Sequence, residues 1–251
     1  YTTLFRSAYC TGQPFVPFTV MGTGGGTILW YTTGVGGTGS STAPVVNTTV
    51  AGVYTYWASQ TILGCESPRS SITVTVNPTP AMPVISGTAV FCQFDAYVAP
   101  TATGTGILWY TALSGGVGAP APSPVPTSTP GTYNVYATQS AGGCESPRAT
   151  FTMTVRPKPS PPVVVASPDT YCPGQPFVPF SVISGTGILW YTVPTGGTGS
   201  SVAPILSTNT SGVQTVYVSQ TVLGCESPRA AVSITVEDSV KADFIPIIKW
   251  G

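Results

Sequence analysis

The side chains able to do chemistry are few, and they cluster. Of eight acidic and eight basic residues, three of each fall in one hexapeptide, GCESPR, which occurs at Gly64–Arg69, Gly143–Arg148 and Gly224–Arg229. The charged pairs are Glu66 and Arg69, Glu145 and Arg148, Glu226 and Arg229. A lone glutamate beside an arginine brings no second carboxylate, nucleophile or base, so the motif does not read as catalytic and the chain reads as no enzyme. Two readings stay open. In one, the motif is a turn: Gly64 supplies a positive φ, Pro68 starts the return path, and Glu66 and Arg69 pair across the turn or cap free backbone groups. In the other, the motif contacts the next module.

The cysteines are the second chemical feature. Three early ones, Cys10, Cys92 and Cys172, are followed after 55, 52 and 53 residues by Cys65, Cys144 and Cys225. These near-constant separations lead us to expect three disulfides inside the modules, Cys10–Cys65, Cys92–Cys144 and Cys172–Cys225. Closing loops of that length stabilises by about 4 kcal/mol each in the chain-entropy model. Disulfides imply an oxidising compartment, hence an extracellular, cell-surface or secreted location. With no histidine and no CxxC pair, the thiols do not fit a zinc site.

Other ligand chemistries find little support. The glycine-rich stretches MGTGGGT and GGTGSS carry no P-loop lysine and no GxGxxG before a helix, and read as hairpin loops. The acids are too scattered for a DxDxDG calcium loop, so no metal and no cofactor is expected. A formal net charge of zero with no basic stretch argues against nucleic acid, and no apolar run reaches the roughly 18 residues that membrane insertion by a helix needs.

These residues are positioned by a threefold repeat. Trp30, Trp109 and Trp190 recur in step with the first cysteines, and the first and third copies share YC-x-GQPFVPF, ILWYT, GGTGSS and GCESPR. The second copy has drifted, with FCQFDAYVAP and GGVGAPAP. Within the third, PFVPFSV, GILWYT, VAPILS, GVQTVYVSQ and AAVSITV read as short strands separated by turn residues, an all-β pattern. Cys, then Trp on the next strand, then a second Cys fits an immunoglobulin-like sandwich, except that the second Cys falls in a turn and would pin one pole. The expected domains are 1–78, 79–157 and 158–238, with a tail at 239–251. The proline-rich linkers at Asn77–Pro83 and Arg156–Pro162 are short and stiff, so three tandem sandwiches should form an extended rod. The opening YTTLFRS matches the conceptual translation of a sequencing adapter, so residues 1–7 are not taken as a native first strand.

YC-x-G, LWYT followed by GGTGSS, VYVSQT, and GCESPR before ITVTV together resemble the Ig-like repeat of very large secreted and surface proteins of Bacteroidetes-type bacteria. The resemblance covers nearly all of Tyr9–Val236. It implies stalk or adhesin modules.

Two further features bear on partners. Strand alternation puts Trp30 and Tyr31, Trp109 and Tyr110, and Trp190 and Tyr191 on opposite sheet faces. If Trp57, Tyr136 and Tyr217 lie on the neighbouring strand, then Tyr31, Trp57, Tyr110, Tyr136, Tyr191 and Tyr217 form an aromatic row. Such a row is ordinary cover for a sheet, a subunit contact or a platform for a glycan. Beyond the third copy, KADFIPIIKWG resembles the apolar segment that opens the second. Asp243, Phe244, Ile245, Pro246, Ile247, Ile248 and Trp250 are therefore expected to donate a strand to the first module of another copy, building a head-to-tail homo-oligomeric filament. The rival expectation is a glycan-binding or adhesive stalk segment of a larger surface adhesin.

Overall fold

The computed structural model describes residues 7–20 and 24–238, and among these no helix occurs. In the first repeat, β1 (Ala8–Cys10), β2 (Thr27–Tyr31), β3 (Gly52–Ile62), β4 (Cys65–Glu66) and β5 (Ser70–Asn77) form one sheet. Its order is β1-β5-β3-β2, with β4 folded back on β3. The second repeat contains β6 (Val84–Ser86), β7 (Val90–Cys92), β8 (Thr101–Thr103), β9 (Leu108–Tyr110), β10 (Gly131–Thr138), β11 (Ser140–Ala141), β12 (Cys144–Glu145) and β13 (Ala149–Arg156). The third contains β14 (Val163–Val165), β15 (Thr170–Tyr171), β16 (Ser181–Ser184), β17 (Leu189–Tyr191), β18 (Gly212–Ser219), β19 (Thr221–Val222), β20 (Cys225–Glu226) and β21 (Ala230–Val236). Its main sheet runs β15-β21-β18-β17, and β14 pairs with β16 in a separate small sheet. The architecture is all-β.

Alternation builds each core. In β5, Ile72, Val74 and Val76 point inward while Ser71, Thr73 and Thr75 point out, and in β21 Val232, Ile234 and Val236 do the same. Trp30 stacks on Phe18 at 5.4 Å between ring centroids, and Trp190 stacks on Phe180 at 5.5 Å. The layer opposite the main sheet is less regular than the sequence leads one to expect. Of PFVPFSV only Ser181–Val182 enters a strand, and VAPILS contributes none. Pro176, Pro179 and Pro204 have no N–H to give a ladder, so these segments cover the core with Phe177, Phe180, Ala203 and Leu206 while remaining irregular.

Two compact units make up the chain. One holds Tyr1–Thr88, Val98–Pro124 and Asn134–Thr152; the other holds Ala89–Tyr97, Val125–Tyr133 and Met153–Gly251. The second repeat is thus divided: its GCESPR hairpin belongs with the first repeat, and its Cys92 turn with the third.

The disulfides explain that division and correct the expected pairing. Cys10 is bonded to Cys144 and Cys92 to Cys225, each joining one repeat to the next, while Cys65 and Cys172 are free and exposed. The reason lies in strand direction. β1 runs parallel to β5 with Cys10 opposite Asn77, whereas Cys65 pairs with Ile62 beyond the Ser70 end of β5. Eight extended residues separate those ends by roughly 23 Å, against the 7 Å between Cα atoms that a disulfide tolerates. Each repeat therefore carries its two cysteines at opposite poles, and pairing within a repeat is geometrically closed. Pairing between repeats brings the Cα atoms to 5.6 and 5.5 Å. Non-reducing peptide mapping should recover Cys10–Cys144 and Cys92–Cys225 peptides; a Cys10–Cys65 or Cys92–Cys144 peptide would contradict this topology.

Candidate functional site

GCESPR begins with a two-residue hairpin. Leu63 and Gly64 have φ of 50° and 79°, Gly142 and Gly143 have 59° and 77°, and Leu223 and Gly224 have 51° and 83°. Successive positive φ values match the twist of an antiparallel ribbon, and the second position is glycine in every copy. Leucine at the first position pays about 1–2 kcal/mol for its Cβ, so something else must hold the hairpin in place.

That role falls to the motif's glutamate. Tyr31 Oη donates to Glu66 Oε1 at 2.5 Å, and Ser59 Oγ donates to the same oxygen at 2.6 Å. Glu145 accepts from Tyr110 at 2.5 Å and Thr138 at 2.7 Å; Glu226 accepts from Tyr191 and Ser219, both at 2.6 Å. The arginine three residues later lies on the same tyrosine. Guanidinium carbons sit over the rings of Tyr31, Tyr110 and Tyr191 at 3.3, 3.5 and 3.2 Å from the centroids. Arg69 Nη1 also donates to the carbonyls of Thr33 and Gly36, Arg148 to those of Ala112 and Gly115, and Arg229 to that of Val193. Glutamate and arginine thus clamp a tyrosine from its hydroxyl and its face, and the expected capping of backbone groups is the arginine's second task.

The rest of the motif completes the knot. Ser67 exchanges hydrogen bonds with the backbone of Gln60, its N–H donating to Gln60 O and its Oγ accepting from Gln60 N, and Ser146 and Ser227 repeat this with Gln139 and Gln220. In the glycine-rich loop, a Cβ on Gly39, Gly118 or Gly199 would stand 2.7–2.8 Å from the tyrosine hydroxyl, so only glycine lets the loop close over the ring. GGTGSS is the lid of the clamp.

Electrostatics follow from these partners. The Ser59 and Tyr31 hydroxyls hold the Glu66 carboxyl below its ordinary pKa, with a smaller contribution from Arg69. Hydrogen bonds from Tyr110 and Thr138 do so for Glu145, and from Ser219 and Tyr191 for Glu226. No group of three or more His, Cys, Asp or Glu side chains suited to a metal occurs among the described residues.

The aromatic row is partly as expected. Tyr31 lies opposite Trp57, Tyr110 opposite Tyr136, and Tyr191 opposite Tyr217, so the two strands are neighbours. The open platform is not found: Tyr31 and Tyr191 are buried, Tyr110 is half-buried, and each ring carries an arginine on its face. Trp57, Tyr136 and Tyr217 are half-buried. The tail residues Asp243, Phe244, Ile245, Pro246, Ile247, Ile248 and Trp250 lie outside the described residues.

Sequence reasoning left open a contact between GCESPR and the next module but missed its direction and its disulfides: the hairpin cysteine is bonded to the repeat before it. In the first unit, the Gly142–Gly143 hairpin tip meets the end of β5, where Asn77 Nδ2 donates to Gly142 O at 2.8 Å beside the Cys10–Cys144 bond. In the second, the Arg156 guanidinium donates to Leu223 O beside Cys92–Cys225. Cys144 and Cys225 are each 1% exposed. The gripped hairpins thus deliver Cys144 and Cys225 to the far pole of the preceding repeat, where each is bonded.

The Ig-like domain CHU_C associated family, a Bacteroidetes-type domain, has a model that matches residues 2–78 and 159–237, more than half of the chain. The chain belongs to this family. The second repeat lies outside the matched regions, in keeping with its drift at FCQFDAYVAP. No curated protein matches. Among solved structures, human CDH23 EC21-23 is similar over 91% of this chain and 97% of that one, at 13% identity and a TM-score of 0.29. Mouse cadherin-23 EC22-24 is similar over 95% and 97%, at 11% identity and a TM-score of 0.23. The three N-terminal domains of the bacteriophage RB49 outer capsid protein Hoc are similar over 94% and 99%, at 12% identity and a TM-score of 0.35. An Ig-like all-β fold is typically non-enzymatic, and Ig-like repeats with disulfides suggest a structural or adhesive role at the cell surface or outside the cell.

The clamp makes a pH prediction. Glu226 has a lowered pKa, so its contribution is complete above the ordinary value of 4.5 and is lost as pH falls through the folded-state value below it. Tyr191→Phe should cost about 1 kcal/mol near neutrality, and the deficit in denaturant unfolding should shrink between pH 5 and the acid limit. A deficit independent of pH would show that the hydroxyl does not serve the carboxylate.

Proposed function

We propose that this chain is an extracellular structural protein, a subunit of a surface filament in which copies join head to tail. The observation that carries this reading is the placement of each repeat's two cysteines at opposite poles, with those of the second repeat, Cys144 and Cys92, bonded to a different neighbour at each pole. A module built so is a link, and links of one kind extend indefinitely when the contact is heterologous. The tail residues 243–250 serve in this reading as a strand donated to the first repeat of the following copy, the position that Val84–Ser86 and Val163–Val165 hold ahead of the second and third repeats. The coverage of each clamp tyrosine by arginine favours assembly over glycan stacking.

Electron microscopy of the purified chain beside a version ending at Val240 tests the proposal. Fibres from the full chain and separate particles from the shortened one are expected. Separate particles in both samples would overturn it.

A further inference from the structure

Two half-joints are left over, and they are complementary. Cys65 is the hairpin cysteine of the first repeat and Cys172 the turn cysteine of the third, and both are free and exposed. In the two completed joints, a hairpin cysteine of one repeat is bonded to the turn cysteine of the repeat before it. Cys172 and Cys65 are the halves that a third such joint requires.

Each half already has the geometry of its bonded counterparts. The turn that presents Cys10 is closed by Gln13, whose Oε1 accepts from Cys10 N at 3.0 Å, and Asp95 accepts from Cys92 N at 2.8 Å. Gln175 Oε1 accepts from Cys172 N at 3.1 Å, and the reverse bonds from residues 13, 95 and 175 to the cysteine carbonyls are 3.0, 3.0 and 3.1 Å. On the other side, the Leu63–Gly64 tip has the φ values of Leu223–Gly224 within a few degrees, and Glu66 holds it by the same clamp. The difference is cover. Leu223, whose carbonyl is engaged by Arg156, is 73% exposed, whereas Leu63 is 99% exposed. Cys225 is buried and Cys65 is not.

We infer that Cys172 of one copy forms a disulfide with Cys65 of a second copy of this chain, continuing the internal joints from molecule to molecule. This rests on the head-to-tail reading above and has the same polarity: the third repeat of one copy precedes the first repeat of the next. The step oxidises two thiols to one disulfide, and the oxidant is another disulfide, a low-molecular-weight one or that of an oxidoreductase in an oxidising compartment. Each thiolate attack releases a thiolate that takes up the displaced proton, so one disulfide and two thiols become one disulfide and two thiols. One contact differs. Glu237 follows β21 where Asn77 and Arg156 end β5 and β13, and a carboxylate cannot donate to the Leu63 carbonyl as they donate to the internal tips.

The test uses Cys65→Ser and Cys172→Ser forms of this chain, alone and mixed, with oxidised glutathione. Neither substitution removes a bonded cysteine. Each variant alone should stay monomeric on non-reducing electrophoresis, while the mixture should give a reducible dimer whose cross-linked peptide contains Cys172 and Cys65. Adding Glu237→Arg to the Cys65→Ser chain rebuilds the Arg156–Leu223 contact and should raise dimer yield about two- to tenfold. Dimers from Cys65→Ser alone, which would be Cys172–Cys172, overturn the inference, as does a mixture carrying only the glutathione adduct. Imaging the double serine variant separates the two proposals: filaments there, with no mixed dimer, sink the disulfide and leave assembly standing. A mixed dimer without filaments from the natural chain does the reverse.

Discussion

The hydrogen bond from a tyrosine hydroxyl to a glutamate carboxylate is the constraint on which the rest depends. It is charge-assisted, it is reinforced by a serine or threonine on the adjacent strand, and it ties the hairpin to the sheet. Without it, a two-residue turn with leucine in a left-handed conformation has little reason to stay extended from the domain. With it, the hairpin becomes a fixed arm carrying a cysteine at its tip. The arginine on the ring and the glycine loop closing over it hold the same tyrosine in place from two further sides.

The joints follow from that arm. A disulfide closing a loop of 134 or 133 residues removes about 5 kcal/mol of unfolded-state entropy in the chain-entropy model, more than a bond within a repeat would give. It also links the fate of neighbouring repeats, because each bond ties the last strand and first turn of one to the hairpin of the next. The linkers share in this. Thr79 N–H donates to Thr11 Oγ1 at 2.9 Å on one side, and Gln139 Nε2 donates to Ala81 O at 2.8 Å on the other. The proline-rich segment from Asn77 to Pro83 is therefore held along its length as well as stiffened by composition.

Much of this was legible in the residues, and the failures have one cause. Repetition, β-alternation and turn chemistry are local signals, and they gave the main strands and the glycine turns, while the pairing of Tyr31 with Trp57 entered only as a condition that the register meets. Disulfide partners depend on which pole a strand end reaches, and a parallel first strand is invisible to periodicity. The cysteine separations of 55, 52 and 53 residues suggested pairing within repeats, yet that near-constancy reflected only the common fold. A sharper signal was present: tyrosine and glutamate are 35 residues apart in all three copies, through loops whose sequences differ. Invariant spacing marked direct partners, and approximate spacing did not. In the irregular outer layer, VAPILS and PFVPFSV carry the apolar pattern of strands, while their prolines forbid the ladder.

The measurement that tests the central claim most directly is disulfide recovery after reduction in a Glu145→Gln chain, with both internal bonds followed in the same molecule. If the carboxylate holds the arm that makes the joint, Cys10–Cys144 should reform about threefold or more less favourably than in the natural chain, while Cys92–Cys225, served by Glu226, should be unchanged. Equal recovery of the two bonds would contradict the account, because the joint would then form without the clamp.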